Sequence, residues 1–166
     1  ANGNGIGDLT TVESTAESKY NGITLGLARR QADNWVFDAN YTISWDKSND
    51  DNERDPFTFR YARADRLDDE WGYSDRDQRH RFNAFVLTKV GYGVTMNNRF
   101  TYTSASPASA KCGTGNVATT TRAGSAADRI CANGTILERN TLRRQNEYAS
   151  WDLRFARVFK VGSGNS

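Results

Sequence analysis

Between Trp35 and Asp46 the chain reads WVFDANYTISWD. Trp35, Phe37, Ala39, Tyr41, Ile43 and Trp45 fall at odd positions, and Asp38, Asn40, Thr42, Ser44 and Asp46 at even ones. A side-chain period of two is that of a β-strand with one apolar and one polar face. At about 3.3 Å per residue and a tilt of ~45°, this segment climbs roughly 25 Å, the height of the apolar band on an outer-membrane barrel. Its aromatic rings cluster at both ends of the apolar face, as expected where indole and phenol groups anchor at two water–lipid interfaces. A strand of a soluble β-sandwich is the alternative from this segment alone.

The same period recurs four more times. It predicts strands near 20–30, with Ile23, Leu25 and Leu27 opposite Gly22, Thr24, Gly26 and Ala28, and near 79–89, where Phe82, Ala84 and Val86 share a face. Phe85 and Leu87 sit on the other face of that segment and make it the least regular of the set. Further strands are expected near 94–104, with Val94, Met96, Phe100 and Tyr102 opposite Thr95, Asn97, Arg99, Thr101 and Thr103, and near 150–160, where Trp151, Leu153, Phe155 and Phe159 alternate with Asp152, Arg154, Ala156 and Lys160. Arg157 interrupts that last apolar face. Gln31–Asn34 and Val90–Gly93 read as tight hairpin turns. Between them lie two long polar intervals, near 47–78 and 105–149. Residues 1–18, rich in Gly, Asn, Ser and Thr without periodicity, read as loop.

Val161–Ser166 reads as the start of another tight turn, so connections run short, long, short, long, short. Transmembrane barrels sort their connections in this way, with tight turns on the periplasmic side and long loops outside. A soluble extracellular β-sandwich, binding carbohydrate or protein through its long loops, is the alternative, but it has no reason to sort its loops by end. The expected fold is all-β, an antiparallel up-and-down meander over residues 1–166 that forms part of a transmembrane β-barrel. Five strands cannot close such a barrel, whose smallest members need about eight. In this reading Trp35, Phe37, Tyr41, Trp45, Phe100, Tyr102, Trp151 and Phe155 face the membrane. Asp38, Asn40, Thr42, Asn97, Arg99, Thr101, Asp152 and Arg154 face the lumen, where they either line a substrate path or brace the wall.

Composition agrees with folded β structure joined by polar loops. Hydrophobic residues make up only 37 %, yet 11 % of the chain is aromatic, which disorder does not predict. No stretch approaches the ~20 apolar residues of a membrane helix, an observation silent about strands that cross. The N-terminus shows no basic region followed by an apolar one, so an internal piece of a longer protein is expected. With 22 basic and 20 acidic residues interleaved, there is no broad basic surface and nucleic acid is not expected as a partner.

Three stretches resemble the barrel of TonB-dependent outer-membrane receptors, particularly the Oar-like group that carries a carboxypeptidase-regulatory-like N-terminal domain. They are Ser18–Ile23 through Arg30 with the hairpin into Tyr41–Ser44; Glu70–Asp75 with Asp77–Phe82; and Trp151–Phe155 to Phe159. The Asp77–Phe82 segment carries most of the likeness. A plug domain, an energy-coupling box and a closing strand with a terminal aromatic residue are not found in the chain, so the resemblance implies a C-terminal barrel fragment in the outer membrane of a Gram-negative bacterium. The function it implies is uptake or surface binding of a nutrient ligand. Its partners would be outer-membrane lipid, the remaining barrel strands, a plug that gates the lumen, and an inner-membrane energy-coupling complex in place of any cofactor.

Enzymatic chemistry finds no foothold in the sequence. His80, the single histidine, lies between Arg79 and Arg81, and cationic neighbours disfavour a bound cation. The interval bounded by Asp46 and Asp77 holds eleven of the 20 carboxylates. Asp50, Asp51, Glu53, Asp55, Asp68, Asp69 and Glu70 are calcium candidates by ligand type, but interleaved Arg54, Arg60, Arg63 and Arg66 point to a solvated, ion-paired loop instead. Cys112 and Cys131, the only cysteines, are expected to form a disulfide if their loop is extracellular, which requires Cα atoms within about 7 Å.

Overall fold

A computed structural model describes residues 14–50, 61–62, 66–113, 129–159 and 162. In chain order its strands are β1 (Ser18–Ala32), β2 (Trp35–Ser48), β3 (Gly72–Tyr73), β4 (His80–Gly91), β5 (Val94–Thr103), β6 (Pro107–Ala108), β7 (Leu142–Arg143) and β8 (Tyr148–Arg157), with a 3-10 turn at Leu67–Glu70 before β3. The five long strands make one antiparallel sheet in the order β1-β2-β4-β5-β8, each beside its neighbour in sequence. This is the all-β up-and-down architecture that the alternation predicts.

Strand ends shift by up to three residues from the sequence expectation. β1 and β2 run further toward each other's far ends, leaving only Asp33 and Asn34 as their turn. β4 extends through Gly91, so the second turn is Tyr92–Gly93, whose φ angles of 50° and 73° are both positive, as the two-residue turn favoured between twisted strands requires. β8 stops at Arg157, earlier than expected. Phe159 lies past its end with the Arg157 guanidinium 4.8 Å from its ring centroid, and Lys160 is outside the described residues.

Register decides what the sheet presents. Leu25, Tyr41, Phe82 and Tyr102 are successive cross-strand partners, as are Leu27, Ala39, Ala84, Phe100 and Trp151. Partners across an antiparallel pair share a face. The apolar residues of all five strands therefore form one continuous surface, and no second layer covers it among the described residues. Leu25 is 65 % exposed, Leu27 68 % and Trp151 70 %, while among the described residues the only buried hydrophobic side chain of the kind that builds a core is Ala108. A sandwich stabilised in water has to bury this face, so that alternative finds no support.

Burial is concentrated instead at the end of the sheet where the long intervals lie. Beyond Ala108 and Pro107, the buried residues there are polar: Ser48, Asn49, Glu70, Ser74, Asp77, Ser109, Arg129, Arg139 and Asn140. The two long intervals, expected as plain loops, carry the 3-10 turn, the β3 edge on β2 and the small β6–β7 pair.

Candidate functional site

The face opposite the apolar one collects the residues expected to line a lumen. Thr42 is followed across the sheet by Arg81 and Thr103; Asn40 by Asn83, Thr101 and Ser150; Asp38 by Phe85, Arg99 and Asp152. Asn97 pairs with Leu87 on one side and Arg154 on the other. Thr24 and Thr42 hydroxyls lie 2.9 Å apart, and the Asn83 amide donates to Asn40 Oδ1 at 3.4 Å. All eight expected lumen residues thus share a face. Their eight aromatic counterparts share the other, because the odd residues of β2 register with the even residues of β4 and β5 and the odd residues of β8.

Asp38, Asn40, Asn83, Asn97, Arg99, Asp152 and Arg154, with Phe85, line a concavity of about 750 Å³. Two carboxylates, two guanidiniums and three carboxamides offer donors and acceptors to a polar solute, and Phe85 offers it an apolar surface. Arg99 lies directly opposite Asp152, yet neither forms an ion pair within 4 Å among the described residues, so both keep hydrogen-bonding capacity toward the concavity. Phe85 and Leu87, with Val36 opposite Leu87, are large apolar members of this face. Phe85 and Leu87 account for the irregular alternation of the 79–89 segment.

Above the sheet, the two long intervals are locked together by charge. Glu70, 1 % exposed, accepts the Ala62 N–H at 2.7 Å and forms an ion pair with Arg129, 59 residues away. Arg129 also donates to the Leu137 carbonyl at 3.1 Å, inside a small hairpin where Cys131 N–H reaches the Thr135 carbonyl and Leu137 N–H that of Arg129. Asp77, fully buried, accepts the Asp46 N–H at 2.9 Å, Arg143 at 2.7 Å and Arg79 at 3.3 Å. Arg139 donates to the Ser48 carbonyl and hydroxyl. Asn140, in the left-handed region at φ 58°, donates to the Tyr73 carbonyl at 2.7 Å and Asp75 Oδ1 at 2.8 Å. Gly72 admits this strap because a Cβ there would stand 3.0 Å from the Arg139 carbonyl oxygen.

This corrects the reading of the acidic interval as a solvated, ion-paired loop. Asp69 fits it, pairing with Arg66 at 3.2 Å on the surface. Glu70 and Asp77 do not: they are internal pillars whose partners come from the other interval. Asp51, Glu53 and Asp55, with Arg54, Arg60 and Arg63, lie outside the described residues. Among the described residues no three side chains of metal-ligating type stand close enough to hold an ion. His80 opens β4 and is tied to the Tyr41 hydroxyl through Nδ1 at 2.8 Å, its ring stacked on that of Tyr41.

Cys112 and Cys131 form a disulfide with Cα atoms 5.3 Å apart, within the reach the sequence argument demanded. The bridge ties the hairpin bearing Arg129 to the segment just after β6. The Cys112→Ser/Cys131→Ser variant is expected to weaken this loop by ~3 kcal/mol on the chain-entropy model for a 19-residue separation. Hydrogen exchange checks it: the amides at positions 131, 134 and 137 should exchange faster, and those of β2, β4 and β5 at the wild-type rate.

Compared with known families, residues 2–105 match the model described as Outer membrane beta barrel domain, well over half of the chain. No curated protein and no solved structure matches.

Proposed function

The chain belongs to the outer membrane beta barrel domain family, which places it in the outer membrane of a Gram-negative bacterium, in contact with lipid and with the other parts of a barrel; from this premise we propose that it forms part of the wall of a TonB-dependent receptor. Its apolar face meets lipid and its polar face lines the lumen. The tight turns Asp33–Asn34 and Tyr92–Gly93 point to the periplasm and the locked intervals to the exterior. In this reading the protein takes up, or binds at the cell surface, a polar nutrient ligand. A plug domain gates the lumen, and an inner-membrane coupling complex supplies the energy. The role is binding and passage, without catalysis or a cofactor.

The observation that carries the reading is the concavity between Asp38, Asn40, Asn83, Arg99, Asp152 and Arg154 on the back of an apolar wall. A purely structural wall has no need to hold Arg99 and Asp152 opposite one another without pairing them. The resemblance around Asp77–Phe82 supports the receptor class, and the ordered loop assembly supplies a surface on which a ligand is first met. Flux through the full-length protein tests this. Reconstituted in liposomes, the intact protein should exclude arabinose in a swelling assay, and removal of its plug should admit the sugar. Free passage through the intact protein would indicate an open pore and sink the gated-receptor reading.

A further inference from the structure

Just past the apolar face, on the same side of the sheet, lies a group of cations that the receptor reading does not use. Lys47 follows Trp45 on β2 by two residues, and Tyr73 of β3 is the register partner of Lys47, so all three side chains share the outward face. Around the Tyr73 ring stand Lys47 Nζ at 5.2 Å from the centroid, the Arg79 guanidinium at 4.8 Å and that of Arg143 at 5.6 Å. Arg79 also lies 5.3 Å from the Trp45 ring. The three cationic centres are therefore no further apart than about twice the reach of a cation–π contact. Asp77 pairs with both arginines, and Lys47 has no ion pair among the described residues.

The two arginines share the single carboxylate of Asp77, and Lys47 brings a further positive charge. A cluster of like charge held this closely, and only partly compensated, is complementary to a phosphate group, which takes charge-assisted bonds from guanidinium and ammonium donors together. Position identifies the source of that phosphate. Trp45 is the aromatic residue at the end of the apolar face, where a ring anchors at the water–lipid boundary. Lys47 stands about 7 Å further along the strand, at the depth of lipid headgroups. We propose that Lys47, Arg79 and Arg143, arrayed on Tyr73, form a binding site for a phosphate of the outer-leaflet glycolipid. The assignment rests on the outward orientation of the long connections proposed above. It adds to that reading a specific lipid contact at the foot of the loop assembly, from which Arg143 and Asp77 transmit rigidity into both intervals.

The test is lipid retention by the full-length protein purified from outer membranes, read by native mass spectrometry, with folding checked by heat-modifiable migration in electrophoresis. Lys47 makes no ion pair, so Lys47→Gln is expected to fold normally and to lower the retained glycolipid about fivefold, the effect of one basic residue at an anionic membrane surface. Lys47→Arg should retain it at the wild-type level. Glycolipid stripped of its phosphates should not be retained by the wild type. The proposal is overturned if Lys47→Gln holds as much glycolipid as the wild type, if the dephosphorylated lipid is held equally well, if phosphatidylglycerol competes on equal terms, or if inorganic phosphate alone displaces the lipid. Each of these results leaves the receptor reading intact, because retention is measured without reference to transport. Cell-surface labelling of the loops tests the orientation separately: loops found on the periplasmic side overturn both.

Discussion

Arg129→Ala collapses the loop assembly while the strands stay folded. Arg129 and Glu70 are 4 % and 1 % exposed at their side chains, and the substitution leaves the Glu70 carboxylate buried with only the Ala62 N–H as a partner. Removing one member of a buried ion pair costs about 3–5 kcal/mol, because the remaining charge has lost its counter-charge without regaining water. The loss falls on the contact between the two long intervals, which lie 59 residues apart at this point, and not on the ladders between strands. The expected readout is local: the Ala62 amide, held by Glu70, and the Leu137 amide, held by the Arg129 carbonyl, exchange at least tenfold faster in the full-length protein, as a loss of more than 1.4 kcal/mol implies, while β2–β4 amides are unaffected. The double variant Glu70→Gln/Arg129→Met should recover part of the protection, since the uncompensated charge is gone. Unchanged exchange in Arg129→Ala would show that the pair adds nothing to the assembly.

The second large effect separates the two faces of one strand. Ala39 and Asn40 are neighbours midway between Trp35 and Trp45, at the centre of the proposed crossing, and they point to opposite sides of the sheet. Ala39→Arg places a guanidinium in hydrocarbon near the bilayer midplane, at a cost of about 2–4 kcal/mol on a barrel's lipid face. Asn40→Arg puts the same group among Asn83, Thr101 and Ser150 on the polar face, where the cost is near zero. Urea unfolding of the full-length protein from lipid vesicles should show the first variant strongly destabilised and the second close to wild type. Equal losses, or the reverse order, would mean that the apolar face does not meet lipid.

Much of this architecture is written in local pattern. A period of two needs only the order of side chains along the chain, so Trp35–Trp45, Phe82–Val86, Val94–Tyr102 and Trp151–Phe155 each declare a strand and its two faces without reference to any other segment. The tight turns are equally local: Asp33 and Gly93 are residue types that accept the positive φ they adopt between alternating runs, with Tyr92 the bulky exception. Those turns make neighbours of β1 and β2 and of β4 and β5, and the register follows from the requirement that apolar sides align, since a slip of one residue would turn a whole strand inside out. The disulfide was legible because only two cysteines exist to pair.

The loop assembly was not legible, and the reason is physical. A buried ion pair has no period. Glu70 looks the same in sequence as Asp69, which is exposed and paired with its near neighbour Arg66; what buries Glu70 is the arrival of Arg129 on a hairpin held by the Cys112–Cys131 bridge. Asp77 becomes a pillar only because Arg143, 66 residues on, and the Asp46 amide converge on it. Tertiary structure likewise decided that Lys47, Arg79 and Arg143 meet around Tyr73, since β3 must first fold back onto the end of β2. Alternation along the chain set the wall and its two faces; only the closing of two long polar intervals on each other, through charges that water would otherwise solvate separately, set what stands at its end.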